Sequence, residues 1–188
     1  MAKQNINSKK GFTIIEVVLV LAIAGLIFLM VFVALPALQR SQRDTARRND
    51  MSRVDTSLIQ YQTNNQNTGN GDLPGSGSWT GSSVFPSTSS GCNTACKFAQ
   101  RYMNSGVDST TNNFKDPDGQ YYNINIQSAS GWSNNEVKDI APAKNMDHTV
   151  YIVTSAKCKG EQAQKDLPNH FAVLYRLEGA GIYCIDDQ

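Results

Sequence analysis

The chain is poor in the groups that usually carry chemistry. Its 188 residues include only two histidines, His148 and His170. Neither stands at ligand spacing from a cysteine or a carboxylate, so both read as structural. There is no glycine-rich phosphate loop, no histidine pair and no serine in a nucleophile elbow. Their absence argues against an enzyme, and no cofactor or metal is expected. Charge of one sign is missing too. The formal net charge is +1, and a nearly neutral chain does not announce nucleic-acid binding.

What is present is concentrated near the amino terminus. Lys9-Lys10-Gly11-Phe12-Thr13-Ile14-Ile15-Glu16 leads into residues 17–38, which hold no charge and are apolar at nearly every position. As a helix this run reaches roughly 33 Å, enough to span a bilayer. A core helix of that length would show a polar face. A secretory signal has a shorter apolar region, of about 7–15 residues, ending at a small-residue cleavage site. Pro36-Ala37-Leu38-Gln39 is not such a site, so the segment is expected to stay in the mature protein. Glu16 breaks the apolar pattern just after its start. A carboxylate there is costly and marks a function that needs a partner.

These residues together resemble the type IV pilin and pseudopilin family. The resemblance implies removal of residues 1–11 as a leader, by a prepilin peptidase cutting between Gly11 and Phe12. It also implies N-methylation of Phe12. Glu16 becomes the fifth mature residue, the family's acidic position, whose carboxylate pairs with the amino terminus of a neighbouring subunit. Two charges that are each costly in hydrocarbon neutralise one another when subunits stack in register. Gly25 falls at mature residue fourteen, where the family often has glycine. Pro36 departs from the pattern, since the usual helix proline would fall at Val33. A helical proline removes a hydrogen bond and crowds the preceding turn. Residues 25–36 are therefore a candidate for local stretching in a filament.

The leader takes three of the 17 basic residues and leaves 14 against 16 acidic ones. Lys3, Lys9 and Lys10 favour a cytoplasmic amino end. Arg40, Arg43, Arg47, Arg48 and Arg53 lie just past the apolar run and oppose that orientation. The cleavage signal decides for the amino end inside and the domain outside. Cys92, Cys96, Cys158 and Cys184 all fall in the exterior part, and an even number there reads as two disulfides. Cys158 and Cys184 lie too far apart for a zinc knuckle. Three pairings are open. Cys92–Cys96 with Cys158–Cys184 is favoured, the second resembling the carboxy-terminal disulfide loop of pilins.

The organisation expected is a leader at 1–11, a membrane or filament-core helix at 12–38, an amphipathic continuation at 39–65 and a globular domain at 66–188. Met51, Val54, Leu58 and Tyr61 form a stripe fit to bury on a sheet. Arg40, Asp44 and Arg48 step by four along an expected exposed face, and the arginines with their aspartates read as a solvated, subunit-facing surface. Residues 64–91, rich in Asn, Gly, Ser and Thr, are a break pinned by Trp79, Val84 and Phe85. Residues 96–104 read as a short helix, with Phe98, Ala99, Tyr102 and Met103 on one face. Asp116-Pro117-Asp118-Gly119 is a turn. Asp116, Asp118 and Asp108 are a weaker calcium candidate, lacking the EF-hand spacing. Strands are expected at 121–127, 149–156, 171–177 and 182–185, with 178–181 a turn and 157–169 a loop. The class is α+β, a long amino-terminal helix on an antiparallel sheet of about four strands, the type IV pilin fold.

The resemblance implies a structural subunit of a pilus filament, serving surface attachment, twitching motility or DNA uptake. The alternative is a pseudopilin of a type II secretion or competence system. Implied partners are further copies in a helical filament, the prepilin peptidase, an assembly ATPase and platform protein, the membrane, and a host-cell surface or DNA. The chain would wait in the cytoplasmic membrane and then become extracellular.

Overall fold

A computed structural model describes residues 11–65, 73–81, 92–104, 113–140, 148–179 and 181–187. Lys3, Lys9, Lys10, Val84, Phe85 and Asp108 lie outside the described residues, as does most of 64–91. The chain divides into two compact units, Met1–Gln39 and Arg40–Gln188.

The first unit holds the start of helix α1 (Ile14–Asn65). Thr13 begins it, its carbonyl accepting from the Glu16 and Val17 amides at 3.2 and 3.4 Å. This stretch is the one described helix long and apolar enough to cross a membrane, and none of its apolar window is buried. Phe12, Leu26, Phe28 and Phe32 stand exposed. Pro36 lies within α1 without ending it, the behaviour expected of proline in a long apolar helix whose freed carbonyl neighbours can satisfy.

The second unit is built on the outer part of α1. The stripe works as its spacing predicts: Met51, Val54 and Leu58 are fully buried and Tyr61 packs at the edge of the same core. They meet one face of a five-stranded sheet ordered β1 (Gly77–Trp79), β2 (Asn123–Ser128), β4 (Thr149–Thr154), β7 (Phe171–Arg176) and β8 (Ile182–Asp186). Tyr122, Ile124, Ile126, Val150, Ile152, Phe171, Val173 and Tyr175 supply that face. The buried Tyr122 hydroxyl donates to Asp50 on α1 at 3.0 Å, so the ring is held at its polar end as well. Burial, and then the neighbouring Asp50 charge, push that phenol far above its ordinary range.

The opposite face carries Tyr151, Val153, Ala172 and Leu174 and is covered by a second sheet of β3 (Val137–Lys138), β6 (Gln162–Lys165) and β5 (Ala156–Lys159). β4 and β7 are thus buried on both faces, which is why they read as unbroken apolar runs rather than alternating ones. The α+β class stands, with all four expected strands present. Within the larger sheet β2 and β4 run parallel, while the other pairs are antiparallel.

Residues 157–169 are not a plain loop. They contain most of the β5–β6 hairpin, whose register pairs Lys159 with Gln162 across Gly160 and Glu161. Gly160 sits at φ 63°, the positive backbone angle that a two-residue hairpin turn demands. Its strands bury only Ala156 and Ala163 fully, so the apolar alternation that would announce them is faint. Ser155, at φ 58°, swings the chain out of β4 into β5 and so from one sheet into the other. The break at 64–91 contains β1, where Trp79 packs on the core. Asn93 caps α2 (Thr94–Phe98) by accepting from the Cys96 amide at 3.0 Å, and its amide donates to Ser78 of β1. The expected short helix is α2 continued as a π-helical turn, Ala99–Met103.

Cys92 is bonded to Cys96, and Cys158 to Cys184 with Cα atoms 5.9 Å apart. The second bond ties β5 of the small sheet to β8 of the large one. It closes a loop with a sequence separation of 26, so the double replacement Cys158→Ser/Cys184→Ser is expected to lower unfolding free energy by roughly 3 kcal/mol. Denaturant unfolding of the oxidised chain in detergent would show it as a lower midpoint. The tighter Cys92–Cys96 loop should give a smaller shift.

Candidate functional site

In the first unit, Gly11, Phe12 and Thr13 precede the first helical turn, and Phe12 is 86% exposed. The Gly11–Phe12 peptide is therefore in open, non-helical backbone, the form a peptidase can take into a cleft. A Cβ built on Gly11 would meet nothing within 4 Å. Packing among the described residues does not require glycine there. Gly25 is equally unconstrained, although glycine inside a helix costs about 1 kcal/mol relative to alanine.

Glu16 lies in the first turn of α1 and is exposed. The free amides of that turn favour a negative charge. Its carboxylate takes the Thr13 hydroxyl at a long 3.5 Å, and among the described residues it forms no ion pair. The spacing Thr13-x-x-Glu16 is that of a helix capping pair. Glu16 is thus a carboxylate in an apolar helix with a weak local partner and room for a stronger one.

The second unit contains a charged cluster that the sequence does not reveal. Arg47, read above as part of a solvated face, is 1% exposed. Its Nε and Nη2 each donate to Asp116 at 2.8 Å, a two-pronged contact, and its Nη1 reaches Asp44 at 3.1 Å and Glu178 at 3.2 Å. Asp116, 2% exposed, also accepts from the Tyr175 hydroxyl at 2.7 Å and the Asp118 amide at 3.1 Å. Asp44, expected on the exposed face, is buried instead. Its two oxygens accept from the Glu178 and Gly179 amides at 2.9 and 2.8 Å. A Cβ at Gly179 would stand 2.7 Å from Asp44 Oδ2, so this contact needs glycine. Arg43 grips Glu178 through both its Nε and Nη2, while Arg40 stays 63% exposed. The solvated-surface reading holds for Arg40 and Arg48 and fails for Asp44 and Arg47. Apart from one another, their partners lie 69 to 135 residues away, beyond the reach of helical periodicity.

The electrostatics follow from these contacts. Burial alone would raise the Asp116 carboxyl, but hydrogen bonds from Arg47 and Tyr175 outweigh it and hold the group at about 2. The Arg43 contact, with Arg47 behind it, holds Glu178 at about 2.

Asp116-Pro117-Asp118-Gly119 is a turn, closed by the Gly119 amide on the Asp116 carbonyl at 2.8 Å. His148 is not alone. Its Nδ1 stands 3.8 Å from Asp116 and its Nε2 3.4 Å from Asp118. Ligand atoms of the three residues lie within 4.8 Å of one another. They fit a cation poorly, because the two ring nitrogens face different carboxylates and a single ion cannot use both. Both Asp116 oxygens are already held by Arg47, whose guanidinium occupies the place a metal's charge would take. His170 is not alone either, its Nδ1 lying 3.2 Å from Asp187.

Residues 6–32 match a family model described as the prokaryotic N-terminal methylation motif. No curated protein and no solved structure matches the chain. The match ends inside α1, so it speaks for the leader, the junction and the apolar helix, and not for the sheets. On that match, joined to the exposed Gly11–Phe12 junction and the apolar helix behind it, the chain carries the type IV prepilin signature.

Proposed function

We propose that the chain is a structural subunit of a type IV pilus, made as a membrane-held prepilin and polymerised after its leader is cut. The observation that carries this reading is the methylation motif on a helix whose first stretch, residues 14–38, is apolar with Glu16 as its one charge, and whose apolar window is unburied in the isolated chain. A peptidase would cut Gly11–Phe12, and N-methylation of Phe12 would leave the new amine charged. Copies of the helix would then bundle with Glu16 of one against the Phe12 amine of another. The mature helices would bury their exposed side chains in one another, and the sheet units would coat the outside. Gly25 and Pro36 would lie in the bundled stretch, where glycine permits close approach of helices. An assembly ATPase and platform protein would drive the process. Attachment, twitching motility or DNA uptake would be the outputs, with a host-cell surface or DNA as ligand.

A pseudopilin of a secretion or competence system shares the whole amino-terminal signal and is the second reading. The two disulfides and the long polar stretch at 64–91 favour a subunit exposed to an oxidising exterior. Electron microscopy of sheared surface fibres, labelled with antibody to residues of the sheet unit, separates them. Long labelled fibres are expected. Sparse or tip labelling would make this a minor pilin, and absence of labelled fibres would favour the pseudopilin.

Processing is tested separately. Gly11→Ala adds a Cβ that meets nothing within 4 Å among the described residues, so it should leave the fold intact while stranding full-length prepilin in the membrane. Intact-mass measurement reads this directly. A variant trimmed as efficiently as the parent would remove the proposed cleavage specificity.

A further inference from the structure

A cavity of about 210 Å³ opens between the outer end of α1 and α2. Phe98, 1% exposed, lies at its base. Tyr61 of α1 and Tyr102 of the π-helical turn form its walls, both half-buried, with ring centroids 5.3 Å apart and planes at 61°. Lys97 and Arg101 stand exposed at its rim, and the Arg101 guanidinium lies 5.8 Å from the centre of the Tyr102 ring. Thr94, exposed at the same rim, adds a hydroxyl. Among the described residues neither cation forms an ion pair, and no carboxylate lines the cavity. Four residues apart on one helical segment, the two cations are an unfavourable pair until an anion lies between them. The turn that carries Arg101 and Tyr102 is closed by the Asn104 amide on the Ala99 carbonyl at 3.0 Å. Such π turns recur at functional sites. This one is held in place. The Cys92–Cys96 bond anchors α2, and the Ser57 hydroxyl of α1 donates to the Tyr102 carbonyl at 3.0 Å, so a ligand would meet a site already formed.

We propose that this cavity binds a uronate ring of an acidic polysaccharide, with the carboxylate held between Lys97 and Arg101 and the apolar face of the sugar against Tyr102. A carboxylate accepts from an ammonium and a guanidinium in charge-assisted bonds. The C–H face of a pyranose is an apolar surface suited to an aromatic ring, and the Tyr102 ring lies beside the Arg101 charge. The Thr94 hydroxyl both donates and accepts, as sugar hydroxyls require. A volume of about 210 Å³ falls short of the roughly 300–1,000 Å³ that encloses a drug-sized ligand. One ring would enter, and the rest of the polymer would run over the surface.

Single-stranded nucleic acid is the competing ligand. Its binding rests on a basic groove that tracks several phosphates, with bases stacked on aromatic rings. Lys97 and Arg101 alone do not make such a track. Phe98 and Tyr102 are already stacked on one another, with centroids 5.8 Å apart, and leave no slot for a base between them. The site lies wholly within the sheet unit. It goes beyond the filament reading, and its failure would leave that reading untouched.

Amide NMR shifts of the full chain in a sugar-free detergent read the site, with hexasaccharides of polygalacturonate and of hyaluronan as probes in parallel titrations. Saturable shifts are expected at residues 94–102 with at least one of them. The carboxyl-reduced, neutral form of that probe should bind about tenfold more weakly, and Lys97→Gln and Arg101→Gln should each weaken the acidic form about tenfold, the effect of losing one charge-assisted bond. Both side chains are exposed, so the variants should fold as the parent does. No saturable shift at 94–102 with either probe would overturn the proposal. So would equal affinity for the neutral glycan, or unchanged affinity in both variants. Tighter binding of oligothymidylate at the same residues would overturn it in favour of nucleic acid.

Discussion

Arg47→Ala is expected to lower the stability of the sheet unit by about 3–5 kcal/mol, the usual effect of removing one partner from a buried ion pair. The loss does not come mainly from the missing attraction. Asp116, 2% exposed in the parent, would lose its counter-charge, keeping the Tyr175 hydroxyl and the Asp118 amide as hydrogen-bond donors. Glu178 would lose one of its guanidinium contacts, and Asp44 the ion pair that complements its grip on the Glu178 and Gly179 amides. The Asp116 turn would thus lose its tie to α1, while the turn between β7 and β8 would keep the ties made by Arg43 and Asp44. Small domains are held by roughly 5–15 kcal/mol in all, so the variant should unfold at far lower urea, read by far-ultraviolet circular dichroism. Arg47→Met combined with Asp116→Leu should be less damaging than Arg47→Ala alone, because no buried charge is then left unpaired. If the single variant matched the parent's midpoint, the cluster would be incidental to the fold. The same pairing sets an acid limit. Asp116 is held at about 2, below the ordinary aspartate value of about 3.9, so its contribution is present above pH 4 and lost as the pH falls through about 2.

The parts of this architecture that were readable in advance are those with a short period or a long run. Met51, Val54 and Leu58 repeat with the helix, and Tyr122, Ile124 and Ile126 alternate with polar neighbours, so each announces which face it buries. β7 is a continuous apolar run because both of its faces are covered. The β5–β6 hairpin hid because alanine and a half-buried cysteine do the work that larger side chains do elsewhere. The parallel pairing of β2 with β4 was hidden for another reason. Local pattern is the same for either strand direction, and direction is set by a connection that leaves the sheet. Arg47 was misplaced because its spacing from Arg40, Arg43 and Asp44 is that of an exposed helical face. Only the arrival of Asp116 and Glu178 from distant turns makes its burial affordable. His148 lacked any local partner and found its carboxylates across the fold. At the amino terminus the reverse holds: in the proposed function Gly11, Phe12 and Glu16 form a signal read by other proteins, and such a signal has to be local.

Glu16→Ala is expected to leave leader removal intact and to abolish filaments. Among the described residues of the isolated chain Glu16 holds only the Thr13 hydroxyl, at 3.5 Å. Nothing among the described residues therefore depends on its charge, and the proposed cut falls just before Phe12, four residues upstream. In the proposed bundle the circumstances invert. The cut at Gly11–Phe12 creates an amine that must enter the same apolar environment. Without a carboxylate opposite, each subunit would bury one uncompensated cation. At about 3–5 kcal/mol for a broken buried pair, association at each such contact weakens by roughly a hundred- to several-thousandfold. A filament repeats the contact along its length, so no reduced population of long fibres is expected to survive. Glu16→Gln separates charge from shape, since it keeps the side chain's size and an acceptor oxygen but not the countercharge, and should fail nearly as completely. Immunoblots of sheared surface fractions against membrane fractions read both variants. Accumulation of correctly trimmed subunit in the membrane with empty sheared fractions is the expected pattern. Normal fibres from Glu16→Ala would sink the pairing role, and untrimmed Glu16→Ala would move Glu16 from assembly to recognition by the peptidase.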